Sequence, residues 1–147
     1  MLDRLTAAPI ELGALIAASQ DDACGALAIF VGTVRDENDG YPVRAITYEA
    51  QPLLARKILA SIEEEARERF AIRSCLIVHR IGLLGLGEAS VAIVVRSAHR
   101  DAAFTALRFA IEAVKTRAPI WKLEHYRDGS DCYLRGVSLL NSLGERP

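Results

Sequence analysis

The stretch from residue 99 to 124, HRDAAFTALRFAIEAVKTRAPIWKLE, constrains the fold most, because it predicts one long helix between two strands. Four apolar residues recur at spacings of three and four, which places them on one face of a helix: Phe104, Leu107, Ile111 and Val114. Pro119 cannot continue a helix, so we expect the helix to end there and a strand to follow from Ile120.

Basic residues are concentrated in this stretch. Lys115 lies about 20° from Phe104 around the helix axis, and Lys122 follows at the corner between helix and strand. His99 and Arg100 stand at the opposite end of the helix. Residues 96–127 hold seven Lys or Arg and three Asp or Glu, while the whole chain has a net charge of −1. A local basic site on a slightly acidic chain suits a small anionic ligand better than a nucleic acid.

Length and composition predict one soluble domain. The 147 residues are enough for a full core, and 51% of them are hydrophobic. We expect a single domain over 1–147, with a helical segment in 1–24 and a frayed tail over 138–147. No apolar run is long enough to span a bilayer, and no basic n-region precedes a long apolar segment. A cytoplasmic location is therefore expected.

The element pattern predicts an α+β fold rather than a doubly wound parallel sheet. The order is α-β-β-α-β-β-α-β-β, with antiparallel hairpins and two main helices. We expect residues 25–35 to form a strand covered on both faces and to make a hairpin with 43–50. The helix beginning at Pro52 has a predicted core stripe of Leu54, Ile58, Ile62, Ala66 and Phe70. The charge run that begins at Glu63 is typical of a solvated helix face.

Neither metal sites nor reactive thiols are predicted. The histidines at positions 79, 99 and 125 share no metal-binding spacing, and the three cysteines are scattered without a CxxC. His79 lies within a predicted strand, which favours a hydrogen-bonded core or edge histidine. His99 begins a helix, so it is either a cap or part of an anion site. The glycines between residues 82 and 87 are typical of a turn.

Lys115 and Lys122 leave two interpretations open. They are either a helix-end lysine and a strand-surface lysine, or they converge with Arg35, His99 and Arg100 on one pocket. In the second case two close ammonium groups lower each other's pKa, which makes one a candidate general base or nucleophile.

Several segments together resemble the large (catalytic) subunit of molybdopterin synthase. They follow the family order over about residues 25–130 and are FVGTVRD from Phe30, YEA from Tyr48, HRIG from His79, Gly87-Glu88, SAHR from Ser97, Ala103-Phe104, and KTRAPIWKLE from Lys115. The resemblance implies an α/β-hammerhead-like fold. It also implies sulfur transfer from the C-terminal thiocarboxylate of a small ubiquitin-like subunit with a Gly-Gly tail to cyclic pyranopterin monophosphate, which forms the molybdopterin dithiolene.

The resemblance implies roles and partners as well. Lys115 and Lys122 match the catalytic lysines, and Arg35, His99, Arg100 and Phe30 match substrate-binding residues. The His-Arg pair is similar to one contributed by the second protomer of a homodimer, which with two small subunits makes a heterotetramer. No cofactor, metal, nucleic acid or membrane is implied.

The chain departs from the family pattern at four positions, which are Gln51, Leu54, Leu123 and Cys132. None of these is a matched catalytic position. The alternative is a non-catalytic binding module of the same fold that holds an anionic ligand or a ubiquitin-like tail. Keeping both lysines together with the basic residues favours the enzyme.

Overall fold

Three helices and nine strands make up residues 2–134, the part of the chain that this computed structural model describes. In chain order they are β1 (Leu5–Thr6), α1 (Leu12–Ala18), β2 (Ala26–Thr33), β3 (Glu37–Asn38), β4 (Tyr41–Ala50), α2 (Pro52–Arg69), β5 (Ser74–Arg80), β6 (Gly82–Gly85), β7 (Ala89–Ser97), α3 (Arg100–Arg117), β8 (Ile120–Tyr126) and β9 (Asp131–Leu134). The predicted α+β class and its two main helices, α2 and α3, are confirmed. No helix within 2–134 is both long and apolar enough to cross a membrane.

The first sheet has the strand order β1-β5-β7-β2. β1 runs parallel to β5, and the other pairs are antiparallel. Val91, Ile93 and Val95 of the central strand β7 pack toward α2 and α3, while Ala92 and Val94 pack toward α1. The middle of β7 is apolar throughout because both of its faces are covered.

The second sheet has the order β3-β4-β8-β9, with the short strand β6 also paired to β4. Its strands are antiparallel, and Tyr48 of β4 lies opposite Lys122 of β8. Residues directly opposite one another in an antiparallel pair project from the same face. The sheet has its own small core, formed by Val34, Val43, Ile46, Tyr48, Leu84, Tyr126 and Cys132.

The expected hairpin between 25–35 and 43–50 is wrong. β2 pairs along its whole length with β7, and β4 pairs with β3, β6 and β8. β2 is also an edge strand that is only partly covered, with Leu27 39% and Val31 36% exposed. The segment between them instead forms a tight β3–β4 turn, in which Asp39 and Gly40 adopt positive φ. The glycines from residue 82 do not form a simple turn either, because Gly82–Gly85 is the strand β6.

Two predicted helix faces are rotated relative to the core. Phe104 is 61% exposed and Leu54 is 47% exposed, so neither belongs to a buried stripe. The buried face of α3 consists of Ala103, Ala106, Ala110, Ala113 and Val114, which allows the helix to approach the first sheet closely. The buried face of α2 is Ala55, Leu59, Ile62, Glu63 and Ala66.

Glu63 therefore does not belong to a solvated charge run, and it is 3% exposed. Its carboxylate accepts a hydrogen bond from the Ile77 amide at 2.9 Å and one from Arg4 at 2.8 Å. Gln51, one of the departures from the family pattern, caps α2, because its side-chain oxygen accepts from the Leu54 amide at 2.7 Å. The predicted frayed tail over 138–147 lies outside the described residues.

Candidate active site

A cavity of about 390 Å³ lies where the two sheets meet the C-terminal end of α3. We call it the lysine pocket, and it is lined by Phe30, Gly32, Thr33, Arg35, Tyr48, His79, Ser90, Val91, Ile111, Val114, Lys115, Ala118, Ile120 and Lys122. Three of these residues are Lys or Arg, and none is Asp or Glu. The pocket therefore has a positive charge that favours an anionic ligand.

Local structure explains how the three cations come together. α3 ends at Arg117, and Ala118 and Pro119 turn the chain into β8, so that Lys115 and Lys122 stand on either side of one corner. Lys115 is exposed in the last turn, whereas Lys122 is half-buried on β8. Arg35 follows β2, whose pairing with β7 is irregular between Gly32 and Thr33. No ion pair joins these cations to a carboxylate of residues 2–134.

Gly32 keeps the pocket open at this irregularity. A Cβ atom on Gly32 would lie 2.9 Å from Val91 Cγ1 and 3.4 Å from Phe30 Cε2. A side chain at this position would therefore displace two lining residues. A glycine here maintains the position of Phe30, the half-buried aromatic wall of the cavity.

The two lysines differ in their surroundings. Burial lowers the pKa of the Lys122 ammonium, Glu124 opposes this shift, and the positive charges of Lys115 and Arg35 lower the pKa further. Lys122 therefore loses its proton to form the neutral amine more readily than an ordinary surface lysine does. Lys122 is half-buried and lines the pocket, so its surroundings differ from those of an ordinary strand-surface lysine.

Glu124 is a buried carboxylate two residues after Lys122 on β8, so the two side chains project from the same face of the sheet. It accepts hydrogen bonds from Asn38 Nδ2 at 2.9 Å to both oxygens and from the Tyr126 hydroxyl at 2.6 Å. These bonds hold the carboxylate in one orientation. It is the nearby negative charge that favours the ammonium form of Lys122.

His79 and Tyr48 also line the pocket, although sequence reasoning assigned them no functional role. His79 is a buried strand residue with a hydrogen bond to a backbone oxygen, as its position in a strand predicted. The Tyr48 ring packs edge-on against the His79 ring, with 5.0 Å between centroids. The alternation of side chains along β4 and β5 predicts which face of its own strand each residue occupies. It does not reveal which strands lie next to one another, so it could not place Tyr48 and His79 in one pocket.

His99 and Arg100 do not reach the lysine pocket within one chain. They lie at the other end of α3, about 24 Å along the helix axis from Lys115. There they line a separate cleft of about 630 Å³, together with the start of β2 and with Phe104. His99 makes no side-chain cap bond to the helix, so the cap interpretation is not supported.

The cysteines have no active-site features. Cys75 and Cys132 are buried and Cys24 is partly exposed. Burial raises the pKa of the Cys75 thiol to about 12, which keeps it protonated. Within residues 2–134, no three His, Cys, Asp or Glu side chains are grouped as metal ligands would be.

Comparison with known proteins assigns the chain to a family. The family model described as MoaE protein matches residues 5–117. A molybdopterin synthase catalytic subunit from Synechococcus elongatus is 44% identical over 136 residues, covering 92% of this chain and 82% of the relative. The corresponding subunit from Bacillus subtilis is 41% identical over 125 residues, covering 85% and 80%.

Solved structures show the same fold. The crystal structure of molybdopterin synthase from Staphylococcus aureus matches with a TM-score of 0.86 and 33% identity, covering 91% of this chain and 98% of that one. A protein–protein complex of subunits 1 and 2 of the molybdopterin-converting factor from Helicobacter pylori matches with a TM-score of 0.72, covering 92% and 91%. Its identity is 22%, so it supports the fold alone.

Proposed function

This chain belongs to the MoaE protein family, and from that premise we propose that it is the catalytic subunit of a molybdopterin synthase. It transfers sulfur from the C-terminal thiocarboxylate of a small ubiquitin-like subunit to cyclic pyranopterin monophosphate, which gives the molybdopterin dithiolene. The observation that carries the proposal is the meeting of Lys115, Lys122 and Arg35 at one cavity that no acidic residue of 2–134 lines.

The pocket suits a phosphorylated pterin in size and charge. Its volume of about 390 Å³ is within the range of small-molecule sites. Arg35 offers a planar fork of donors for phosphate oxygens, and the two lysines add positive charge. Phe30 provides an apolar surface for a flat ring.

The chemistry needs both a stabilised negative charge and a proton acceptor. The thiocarboxylate sulfur attacks an oxygen-bearing carbon of the substrate, so a C–S bond forms while the C–O bond at that carbon breaks and its oxygen leaves in protonated form. The tail is then linked to the pterin as a thioester. Water then cleaves the acyl C–S bond, leaving a thiol on the pterin and a carboxylate on the tail. An ammonium beside the acyl oxygen stabilises the developing charge. Lys115, exposed at the rim, is suited to this task.

Lys122 is suited to moving the proton. Because burial lowers its pKa, its neutral amine is available to take a proton from the attacking water at lower pH than a solvated lysine would allow. The charge of Glu124 favours the ammonium that forms when Lys122 takes this proton. Two rounds, each consuming one thiocarboxylate, supply the two sulfurs.

A second copy of the chain completes the site in this proposal. His99 and Arg100 are exposed, and they lie too far from Lys115 to share its pocket within one chain. In a homodimer the pair of one protomer enters the lysine pocket of the other and adds donors for the phosphate. Each protomer also binds one small subunit in this proposal, which makes a heterotetramer. We place the enzyme in the cytoplasm.

A non-catalytic binding module is the other candidate, and the environment of Lys122 argues against it. A module that only holds an anion gains from lysines that stay fully charged, whereas burial disfavours the charge of Lys122. The relatives at 41–44% identity are catalytic subunits. The enzyme therefore explains more of the site.

The test is to mix the purified protein with thiocarboxylated small subunit and the pterin precursor, and to measure dithiolene formation. The chain has only three lysines, so Lys57, exposed on α2, provides a matched control. We expect activity in the wild type and in Lys57→Ala, and a loss of at least a hundredfold in Lys122→Ala. A wild-type protein that binds both partners but forms no dithiolene would overturn the proposed function.

A further inference from the structure

His79 is a buried wall residue of the lysine pocket that the chemistry above does not use. It is 6% exposed, yet it borders the cavity. Its ring meets the Tyr48 ring at 66°, and Tyr48 lies opposite Lys122 in the β4–β8 pairing. His79, Tyr48 and Lys122 therefore form one continuous wall built from three strands.

The hydrogen bonding of His79 determines which ring nitrogen is free. Its Nδ1 lies 2.8 Å from the Arg80 carbonyl oxygen. A carbonyl can only accept, so Nδ1 carries the hydrogen and donates it. Burial lowers the pKa of His79 to about 4, so the ring is neutral at pH 7. A neutral ring with its hydrogen on Nδ1 has a bare lone pair on Nε2.

This lone pair differs in kind from the cationic groups of the pocket. Arg35, and Lys115 and Lys122 in their ammonium forms, can only donate, and a lone pair cannot bind the oxygens of a phosphate or carboxylate. The Tyr48 hydroxyl is engaged with Ser90. The pocket therefore has donors for an anion and, on the His79 side, an acceptor for an N–H or O–H group.

We propose that His79 determines substrate specificity and orientation, with its Nε2 accepting a hydrogen bond from a ring N–H or amino group of the pterin. The inference rests on the proposed function and identifies the group that recognises the pterin ring of the substrate. The cations hold the phosphate, so the two ends of the substrate cannot exchange places. A phosphorylated compound without an N–H donor at this position leaves the lone pair unsatisfied and binds weakly.

Two substitutions separate the acceptor from the fold. His79→Asn retains an N–H near the position of Nδ1 and can still donate to the Arg80 carbonyl, but it removes Nε2. His79→Gln can place an amide oxygen near the position of Nε2 and restore an acceptor. We expect His79→Asn to raise the KM for the pterin about tenfold, in line with one lost hydrogen bond, and to change kcat less than twofold. His79→Gln should recover part of the loss.

Two further measurements act as controls. The KM for the thiocarboxylated small subunit should stay unchanged in both variants, because a merely structural defect would raise both constants. His125→Asn alters a histidine on β8 that is bonded to Thr47 and Asp131 outside the pocket, so its KM for the pterin should equal that of the wild type.

A binding readout on the wild type is independent of any variant. The chain has three histidines, so ¹⁵N-labelled imidazoles give few resonances. Adding the pterin should shift the bare Nε2 resonance of His79 toward that of a hydrogen-bonded nitrogen, while His125 stays unmoved. An unshifted His79 resonance at saturating pterin overturns the inference, even if the variants fail to fold.

The outcomes also separate this inference from the proposed function. Wild-type protein that binds the pterin without forming dithiolene would overturn the sulfur-transfer assignment. The NMR titration would then still decide whether His79 contacts the pterin. Active wild-type protein whose His79→Asn variant keeps an unchanged KM for the pterin would overturn the role of His79 alone.

Discussion

Glu63 joins three parts of the fold, so its removal gives a sharp test of how the first sheet is held. It sits on α2, and its carboxylate accepts from the Ile77 amide in β5 and from Arg4 just before β1. β1 pairs with β5 only at His79 and Arg80, so it does not extend to Ile77. The side chain therefore stands in for a missing strand neighbour.

The size of the effect follows from these contacts. In Glu63→Ala the buried Ile77 amide loses its acceptor, which costs about 1–3 kcal/mol. The Arg4 side chain is 34% exposed, so the ion pair adds only about 0–1 kcal/mol. Lost methylene packing adds roughly 1 kcal/mol. We expect the free energy of unfolding to fall by about 2–5 kcal/mol in total, which corresponds to about 5–20 °C in Tm for a chain of this size.

Urea denaturation followed by circular dichroism measures this quantity. Glu63→Gln keeps an acceptor for Ile77 and should lose only about 1 kcal/mol, because the main term is the unpaired amide. Glu64→Ala changes an exposed neighbour on the same helix and should stay within about 0.5 kcal/mol of the wild type. If Glu63→Ala were no less stable than Glu64→Ala, the assigned bonding of the buried carboxylate would be wrong.

Four further predictions follow from the site and the core. Lys115→Ala should nearly abolish dithiolene formation without changing the unfolding midpoint, whereas Lys57→Ala should match the wild type in both. The pKa of His79 is lowered from 6.5 to about 4, so the unfolded chain binds more protons in that range. Stability should therefore fall by roughly 3 kcal/mol as pH falls from 6.5 to 4, and a His79→Gln denaturation series should lack this loss. Iodoacetamide at pH 8 should label Cys24 before Cys75, as peptide mass spectrometry would show, since Cys75 is buried with a raised pKa. Light scattering in excess reductant should give a dimer, and a monomer at micromolar concentration would contradict the shared site.

The sequence predicts best what is encoded locally. The end of α3 depends on Pro119, and the β3–β4 turn depends on Gly40, whose φ is +81°. The pairing of β2 is not encoded locally, because its partner β7 is more than fifty residues away. Two apolar runs close in sequence resemble a hairpin, although their strands belong to different sheets.

Helix faces were predicted less well for a related reason. Apolar spacing identified a stripe through Phe104, but the buried residues are mainly alanines, such as Ala103 and Ala110. Large apolar residues dominate any periodicity count, whereas close packing of a helix on a sheet favours small side chains. The buried position of Glu63 was missed because its partners, Arg4 and Ile77, come from distant parts of the chain.

In the site, too, some features are encoded locally and others depend on distant parts of the chain. The two lysines and Arg35 could be found from residue type and from their places at the ends of α3 and β2, and the structure brings them to one cavity. What separates the lysines is burial, which depends on the pairing of β8 with β4. Lys122 packs into that wall beside Tyr48 and loses solvent, while Lys115 remains exposed on the final turn of a helix. One residue type, placed twice at one corner, thus provides an exposed charge at the rim and a desolvated amine in the wall.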